Sequence, residues 1–505
     1  MIWMFHKYEY VILDASCLLA PEIDSSLLDS LRGSQIDISA TFYAEAKAYL
    51  ELLNEQRRKA CKAYIAQFQN IRMREDTHST WEMICSHSSA GRPIAVVTGN
   101  SLLIDRIILE ETPPIKADIY DLLNKEWIPY GDFQDRRNSV ELQSDKRSQV
   151  PPQAESVGYG TTLYTSSGEE VIVCRLGEKR IVGTESDLFG VENLDGKFLG
   201  IAKIFKTGSL TPGKCEHLQR LKEFADTFDC SWCLLPRETL YRDKSRQIFA
   251  GILEDYAKNY RTFFDYPPYH GDLSIFQDSP MKLSDNLRIC YHLVRQVCFL
   301  NNFGFFISDY NLKNFAIRDD DSDHILMFDT DSFGFRNYFA GFRAAGSSTA
   351  NKYDTTTKNG AIAFCEDSLY VAVFSLLSLG SPPIYVRKQE RIFRFDEDIE
   401  DRDRKQLFPE KLWTLFEDAF RFRKDFSSDK LLLTLSECLN DLKDHPADDY
   451  DYKQDPIPPE PNQVKKASCV GHLLESGALD RIFLLLAGLC IAIVLYLLYQ
   501  NGFFS

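Results

Sequence analysis

Between Gly304 and Phe333 the chain reads GFFISDYNLKNFAIRDDDSDHILMFDTDSF. Three oxygen-bearing side chains stand in a short frame there: Asp309, Asn314 five residues on, and Asp329 at the end of the second of two β-type runs. The frame predicts a loop, a strand, a turn and a second strand. Such spacing suits a site that holds Mg²⁺ against a phosphate chain. Asp309 would take or orient the proton of an attacking hydroxyl, while Asn314 and Asp329 would offer the oxygen ligands a hard cation prefers. A polar hairpin with capping carboxylates would use the same three residue types, so the surrounding elements have to decide.

Residues 1–133 alternate strands and helices. Tyr10–Leu13 is a short apolar strand ending at Asp14, and Ala44–Asn70 reads as one long helix with Glu45 in its first turn. Ile94–Thr98 is a buried strand that turns at Gly99 and Asn100 into a helix over Leu102–Leu109. That alternation implies an α/β unit on a parallel sheet. Residues 134–156 are polar and proline-containing and read as a linker. From Gly158 to Lys206, β-type runs separated by glycine turns predict an antiparallel meander. After Ser284 the pattern turns helical, over Leu287–Asn302, Glu366–Leu379 and Pro409–Leu442. Ala447–Val464 is acidic and rich in proline, an extended spacer.

With 505 residues, 44% of them apolar, the chain has room for two or three domains with sizeable cores. Its net charge of −16, with an acidic first 133 residues, disfavours bulk nucleic-acid binding. Thirteen cysteines without a regular framework read as reduced cytosolic thiols. Cys230 and Cys233 have no matching second pair for zinc and read as buried strand thiols. Ile482–Tyr499 runs eighteen residues without a charge, near the length that crosses a hydrocarbon core. Lys465, Lys466 and Arg481 precede it, the cytosolic-side pattern, and the opening residues lack a signal-type apolar run. The expectation is a single-pass, tail-anchored membrane protein: a spacer and juxtamembrane segment over 447–480, a transmembrane helix over 481–500, and the bulk cytoplasmic.

Strands first, helices after, and an acid–amide–acid loop between them is the order of a two-lobed kinase. Residues 157–446 resemble the bacterial serine/threonine protein kinase-like family of the helix-hairpin-helix-associated type. The resemblance is carried by IAKIF at Ile201–Phe205, by Trp232 with Pro236–Tyr241 and Phe249–Leu253, by the Asp309–Asp329 frame, and by FCEDSLYVAVFSLLSL at Phe364–Leu379. It implies a bilobal α+β fold, ATP and Mg²⁺ as cofactors, and a protein substrate, with a partner phosphatase in bacterial signalling. It implies Asp309 as catalytic base, Asn314 and Asp329 as metal ligands, and Lys203 as the phosphate-binding lysine. Glu216, or else Glu223, would be that lysine's helical partner. Gly177 and Gly183 would belong to the phosphate loop, the backbone of Leu253–Asp255 would meet adenine, and Asp367 would cap the catalytic loop. The chain departs from the family in places. Ile307 and Ser308 replace His and Arg, and Asn311 stands in place of the loop lysine, with Lys313 nearby. Thr330 and Asp331 follow Asp329, and Lys179, Arg180 and Ser186 stand where glycines are usual.

Asp14 after a strand, Glu45 on a following helix and VVTGN at a second strand end resemble the PIN nuclease family over about 120 residues. That family gathers acids at strand ends to bind Mg²⁺ or Mn²⁺ and cut RNA. Asn100 stands in place of the third acid, with Asp105 and Asp118 nearby. Three functions follow as expectations: a membrane-anchored protein kinase, a nucleotide-binding pseudokinase scaffold, or a tethered ribonuclease governed by the kinase-like part.

Overall fold

The computed structural model describes residues 8–449, apart from 20–34, 66–70, 75–78, 140–156, 178–180, 264–281, 336–357, 379–383, 394–407, 421–426 and a few isolated positions. The first part of the expected linker, residues 134–139, is helical instead; its remainder, Lys179, Arg180 and the tail segment 481–500 lie outside the described residues. Residues 1–453 form one compact unit.

The chain is mixed α/β. Its first sheet takes β1 (Tyr10–Leu13), β2 (Ile36–Ser39), β3 (Ile71–Arg74), β4 (Ile94–Thr98), β5 (Ala117–Asp121) and β6 (Glu126–Ile128) in the order β3-β2-β1-β4-β5-β6. All pairings are parallel except the last, β5 with β6. The helices are α1 (Phe42–Leu52), α2 (Glu55–Ile65), α3 (Thr80–Ser89), α4 (Ser101–Leu109) and α5 (Phe133–Ser139). The all-apolar burial of β4 fits a strand covered on both faces. Ile12, Val96 and Ile119 pack there with Leu103, Ile104, Ile107 and Ile108 of α4.

The single helix expected over Ala44–Asn70 is two helices. Leu53 is extended, at φ −87° and ψ 148°, and ends α1. The Arg58 guanidinium then donates to the carbonyls of Leu50 (2.9 Å) and Leu53 (3.0 Å), satisfying acceptors that a continuous helix would have used internally.

Residues 162–254 form a second, antiparallel sheet: β7 (Thr162–Thr165), β8 (Glu170–Cys174), β9 (Ile181–Val182), β10 (Ser186–Asn193), β11 (Phe198–Phe205), then α6 (Pro212–Thr227), β12 (Glu238–Tyr241) and β13 (Phe249–Glu254). The order β11-β13-β12-β7-β8-β10-β9, with an added β11–β10 pairing, closes six of the strands on themselves. Leu163, Val171, Val173, Phe189, Val191, Ala202, Leu240 and Leu253 fill the interior. Gly251 is needed at its place in β13, because a Cβ there would run into the carbonyl of Lys203 on β11.

The remaining elements are mainly helical. They comprise β14 (Tyr260–Thr262), α7 (Leu283–Asn302), β15 (Phe305–Phe306), β16 (Phe315–Arg318), β17 (Asp321–Met327), β18 (Gly334–Phe335), α8 (Lys358–Leu377), α9 (Glu410–Phe420) and α10 (Ser428–Asp444), with a small hairpin between α8 and α9. The span Gly360–Leu377 of α8 is long and apolar enough to cross a membrane, yet 78% of it is buried inside the protein. Its apolar residues have protein to pack against, as in a core helix.

Candidate functional site

A cavity of about 850 Å³ opens between the closed sheet and the helical part. β11 brings Lys203 and Ile201 to it, because residues two apart on a strand share a face. The β16–β17 hairpin brings Asn314 and Asp329 from the other side. Phe315 pairs with Met327 across the hairpin, and Phe328 N–H donates to the Asn314 carbonyl at 2.8 Å, which sets the two metal-ligand candidates side by side. Asp329 holds a left-handed backbone, φ 54° and ψ 39°, a conformation that Asp tolerates better than most side chains and that recurs at functional positions.

The 3-10 turn after it, Thr330–Ser332, is pinned from three sides. Thr330 Oγ1 donates to Leu234 O (2.8 Å), Ser308 Oγ donates to Ser332 O (3.1 Å), and Ser332 Oγ donates to Asp329 O (2.7 Å). That turn carries a residue that spacing alone did not single out for the site, Asp331. Lys203 Nζ is bonded to the carboxylates of both Asp329 and Asp331, and Lys214 Nζ lies 3.2 Å from the other Asp331 oxygen. Burial opposes charge on Lys203, but Asp331 and Asp329 hold its ammonium well above the usual lysine value. Burial would push Asp331 up, yet Lys203 and Lys214 outweigh it and hold the carboxyl down at about 2. Asp329 titrates above its usual range, through burial and the charge of Asp331.

The helical partner expected for Lys203 is elsewhere. Glu216 and Glu223 lie on the solvent face of α6, and Glu223 pairs with Arg220 at 2.8 Å. The buried face of that helix presents Lys214, His217, Leu218, Leu221 and Phe224. Asp309 is 3% exposed and does not line the cavity. Its carboxylate accepts from Asn311 N–H and from Asn314 Nδ2, both at 3.1 Å, so it sits one hydrogen bond behind the cavity wall. Burial raises its pKa.

Gly177 and Gly183 line the cavity, as do Glu185, Ser186 and Leu188. Along the stretch expected to meet a base, Leu253 points into the closed sheet and Asp255 pairs with Arg237 at the surface (2.8 Å). The cavity is lined there by Glu254, Tyr256 and Ala257. The register explains it: Glu254 lies opposite Ile201, and Leu253 opposite Ala202, so alternate side chains go to opposite faces.

Glu254 is 8% exposed, and its Oε1 has no hydrogen-bond partner. Burial raises its pKa to about 8, against the pull of Lys203 and helped by Asp331 and Asp329. A folded-state value above the unfolded one favours folding fully only at low pH, and that advantage is lost as the pH rises toward 8. Glu254→Gln is therefore expected to stabilise the protein by on the order of 3 kcal/mol at pH 7, since the folded protein keeps this carboxyl protonated from its ordinary value of 4.5 up to that pH. The gain should level off above pH 8 and vanish below about pH 4.5. Urea midpoints at pH 4, 7 and 8.5 measure this, and a gain that does not change with pH would contradict it.

In the first sheet, Asp14 and Glu45 are each 3% exposed. Asp14 Oδ2 accepts from Ser16 N–H (3.1 Å), from the Ser16 hydroxyl and from Thr98 Oγ1 (3.0 Å). Asn100 does not face these acids as a ligand: its Oδ1 accepts from Leu102 N–H and Leu103 N–H, both at 3.0 Å, and caps α4. Asp118 sits level with Ala95, short of the strand end, and accepts from Tyr8 (2.5 Å) and Tyr130 N–H (2.8 Å). The acid level with Thr98 is Asp121, which closes a turn through Leu123 N–H and Asn124. A different acid, Asp429 at the start of α10, comes within electrostatic reach of the pair. Burial and the charge of Asp14 push it up to about 7, and burial and the charge of Asp429 raise Glu45 well above its usual value. Among the described residues no group of three or more His, Cys, Asp or Glu side chains is arranged to hold a metal ion.

Cys230 is half-buried and Cys233 buried, both as free thiols. No protein-family description matches the chain, and no curated protein is significantly similar to it.

Proposed function

We propose that residues 157–446 are a protein kinase-like domain that binds Mg·ATP in the 850 Å³ cavity and transfers the γ-phosphate to a protein Ser or Thr hydroxyl. The observation that carries this reading is convergence. Lys203, implied by the resemblance at IAKIF, and Asn314 and Asp329 of the acid–amide–acid frame line one cavity, and Asp309 is hydrogen-bonded to one of them. The residues present fit a magnesium ion. Asn314 commits its Nδ2 to Asp309, which leaves its oxygen as the end for a cation, and Asp329 supplies a carboxylate beside it. When bound, the ion would offset phosphate charge. Lys203 would hold the phosphates, the apolar walls of Leu188, Ile201 and Leu234 would take a purine, and Asp309 would orient the hydroxyl.

The burial of Asp309 behind Asn314 favours a second reading, a nucleotide-binding pseudokinase that presents the N-terminal region as a scaffold. In both readings residues 1–133 are a PIN-like domain and residues 481–500 anchor the chain to a membrane, with the bulk cytoplasmic. Ribonuclease action has the least support, because the Asn100 amide is spent on a helix cap and the acid pair is buried. Incubating the full-length chain with Mg²⁺ and γ-labelled ATP separates the readings. Label on the protein or on an added substrate supports transfer. Stabilisation by ATP without label leaves the scaffold, and no response to nucleotide removes both.

A further inference from the structure

Lys214 is a cation in an unfavourable place. It lies in the first turn of α6, where the helix dipole opposes positive charge, and the residue is 5% exposed. Its N–H is used in the helix cap, donating to Thr211 Oγ1 at 3.2 Å, so the backbone is fixed and the side chain has a defined direction. The ammonium lies 3.2 Å from Asp331, is bonded to Glu185, and sits 5.0 Å from the centre of the Phe205 ring. Only one of the two acids could do without it. Buried Asp331 takes Lys203 on one oxygen and Lys214 on the other, whereas the Glu185 side chain is 43% exposed, where water would serve it equally well. Lys214 also lines the cavity, together with Lys203, Gly183, Glu185 and Ser186.

We infer that Lys214 is a second phosphate-binding cation of this cavity, sharing the polyphosphate of a nucleotide with Lys203, and that Asp331 is the counter-ion common to both. The inference rests on the nucleotide-binding reading above and sharpens it: the ligand class is a nucleoside di- or triphosphate rather than a nucleoside. The side-chain arrangement gives the physical route. Asp331 binds one lysine through each oxygen, which holds two ammoniums on one side of the cavity without letting them repel each other apart. The Glu185 contact is the weakest tie, half in water and screened, so a phosphate oxygen replaces it at small cost. A kinase-type helix that presents a carboxylate to Lys203 would hold only one cation there. In this chain that carboxylate comes from the 3-10 turn after β17, as Asp331, and the helix position is released to a second lysine.

The test compares adenosine, AMP, ADP and ATP binding, with Mg²⁺, to full-length protein in mild detergent. The wild-type chain should bind in the order adenosine, AMP, ADP, ATP, each phosphate adding affinity. Lys214→Met should weaken ATP by roughly 10- to 100-fold, the range of one charge-assisted hydrogen bond, and leave adenosine within about twofold. Lys214→Arg should keep ATP binding within several-fold. Glu185→Gln, which frees Lys214 and touches only a half-exposed carboxylate, should tighten ATP a few-fold, and it decides the matter should Lys214→Met not fold. A Lys214→Met protein that loses adenosine and ATP equally, or neither, would show the lysine to be a structural counter-ion. A wild-type chain that binds none of the four ligands would instead sink the nucleotide reading itself.

Discussion

Asp309→Asn should abolish autophosphorylation by Mg·ATP and leave ATP-dependent thermal stabilisation intact. The substitution is nearly isosteric, and the new amide would keep an oxygen to accept from Asn311 N–H, where Asp309 accepts at 3.1 Å. What it removes is a carboxylate able to orient a hydroxyl and share its proton, a role worth roughly 10²–10⁴ in rate. Because Asp309 does not line the cavity, nucleotide loses no direct contact; the one indirect effect is on Asn314, whose Nδ2 loses its carboxylate acceptor, so any change in affinity should appear with Mg²⁺ and not without it. The pH profile adds a second check. Burial raises the Asp309 pKa, so the acidic limb of the rate profile should lie above the ordinary carboxylate range, with activity lost as the pH falls through it. Undiminished transfer by the variant would remove Asp309 from the reaction. Loss of nucleotide stabilisation would mean that it supports the cavity rather than the chemistry.

How much of this was legible in the sequence depends on distance along the chain. The Asp309–Asp329 frame could be read because one hairpin holds it: a strand, a turn and a strand fix the spacing, and the pairing of Phe315 with Met327 follows. Lys203 is implied by the resemblance at IAKIF, and alternation along β11 sets it on the face away from the core residues Ala202 and Ile204. The helix after it was harder. The resemblance implies an acid at Glu216 or Glu223, but positions 214, 217, 218, 221 and 224 repeat at helical spacing and form the buried face. That periodicity was available and pointed to Lys214. Asp331 was two residues from a chosen ligand, and only the pinned 3-10 turn shows that it, too, reaches Lys203. Asn100 reads equally well as a ligand or a helix cap, since both use the same carbonyl oxygen; the Leu102 and Leu103 N–H groups settle it as a cap. The association of the N-terminal region with the helical part had no local signal, because every contact in it joins residues hundreds of positions apart.

That association sets the last expectation: Leu102→Asp should detach the N-terminal region from the rest without unfolding it. Along α4, the neighbours Leu103, Ile104, Ile107 and Ile108 belong to the core of the first sheet, but Leu102 packs with Phe306, Ile362, Phe364 and Cys365. A carboxylate there would sit among apolar partners drawn wholly from the other region, at a cost of about 4 kcal/mol or more from lost packing and desolvation. The two regions also meet where α1 packs on α7 and α10. Arg295 pairs with Glu51 (2.5 Å), Lys430 lies 3.9 Å from Glu82, and the Tyr49 and Phe299 rings meet edge to face at 6.4 Å. The wet Lys430–Glu82 pair contributes little, so once position 102 is charged the junction rests on what α1 buries against α7 and α10. Calorimetry should show one unfolding transition in the wild type and two in the variant. Carbodiimide labelling should find Asp14 and Glu45 unreactive in the wild type, as their 3% exposure requires, and reactive in the variant, because Asp429 and the start of α10 would no longer stand beside them. Leu103→Asp is the control: it strikes the first sheet's own core and should unfold that region outright. Identical melting and labelling of the wild type and Leu102→Asp would show that the junction contributes nothing to either region, and that the acid pair is shielded by its own domain.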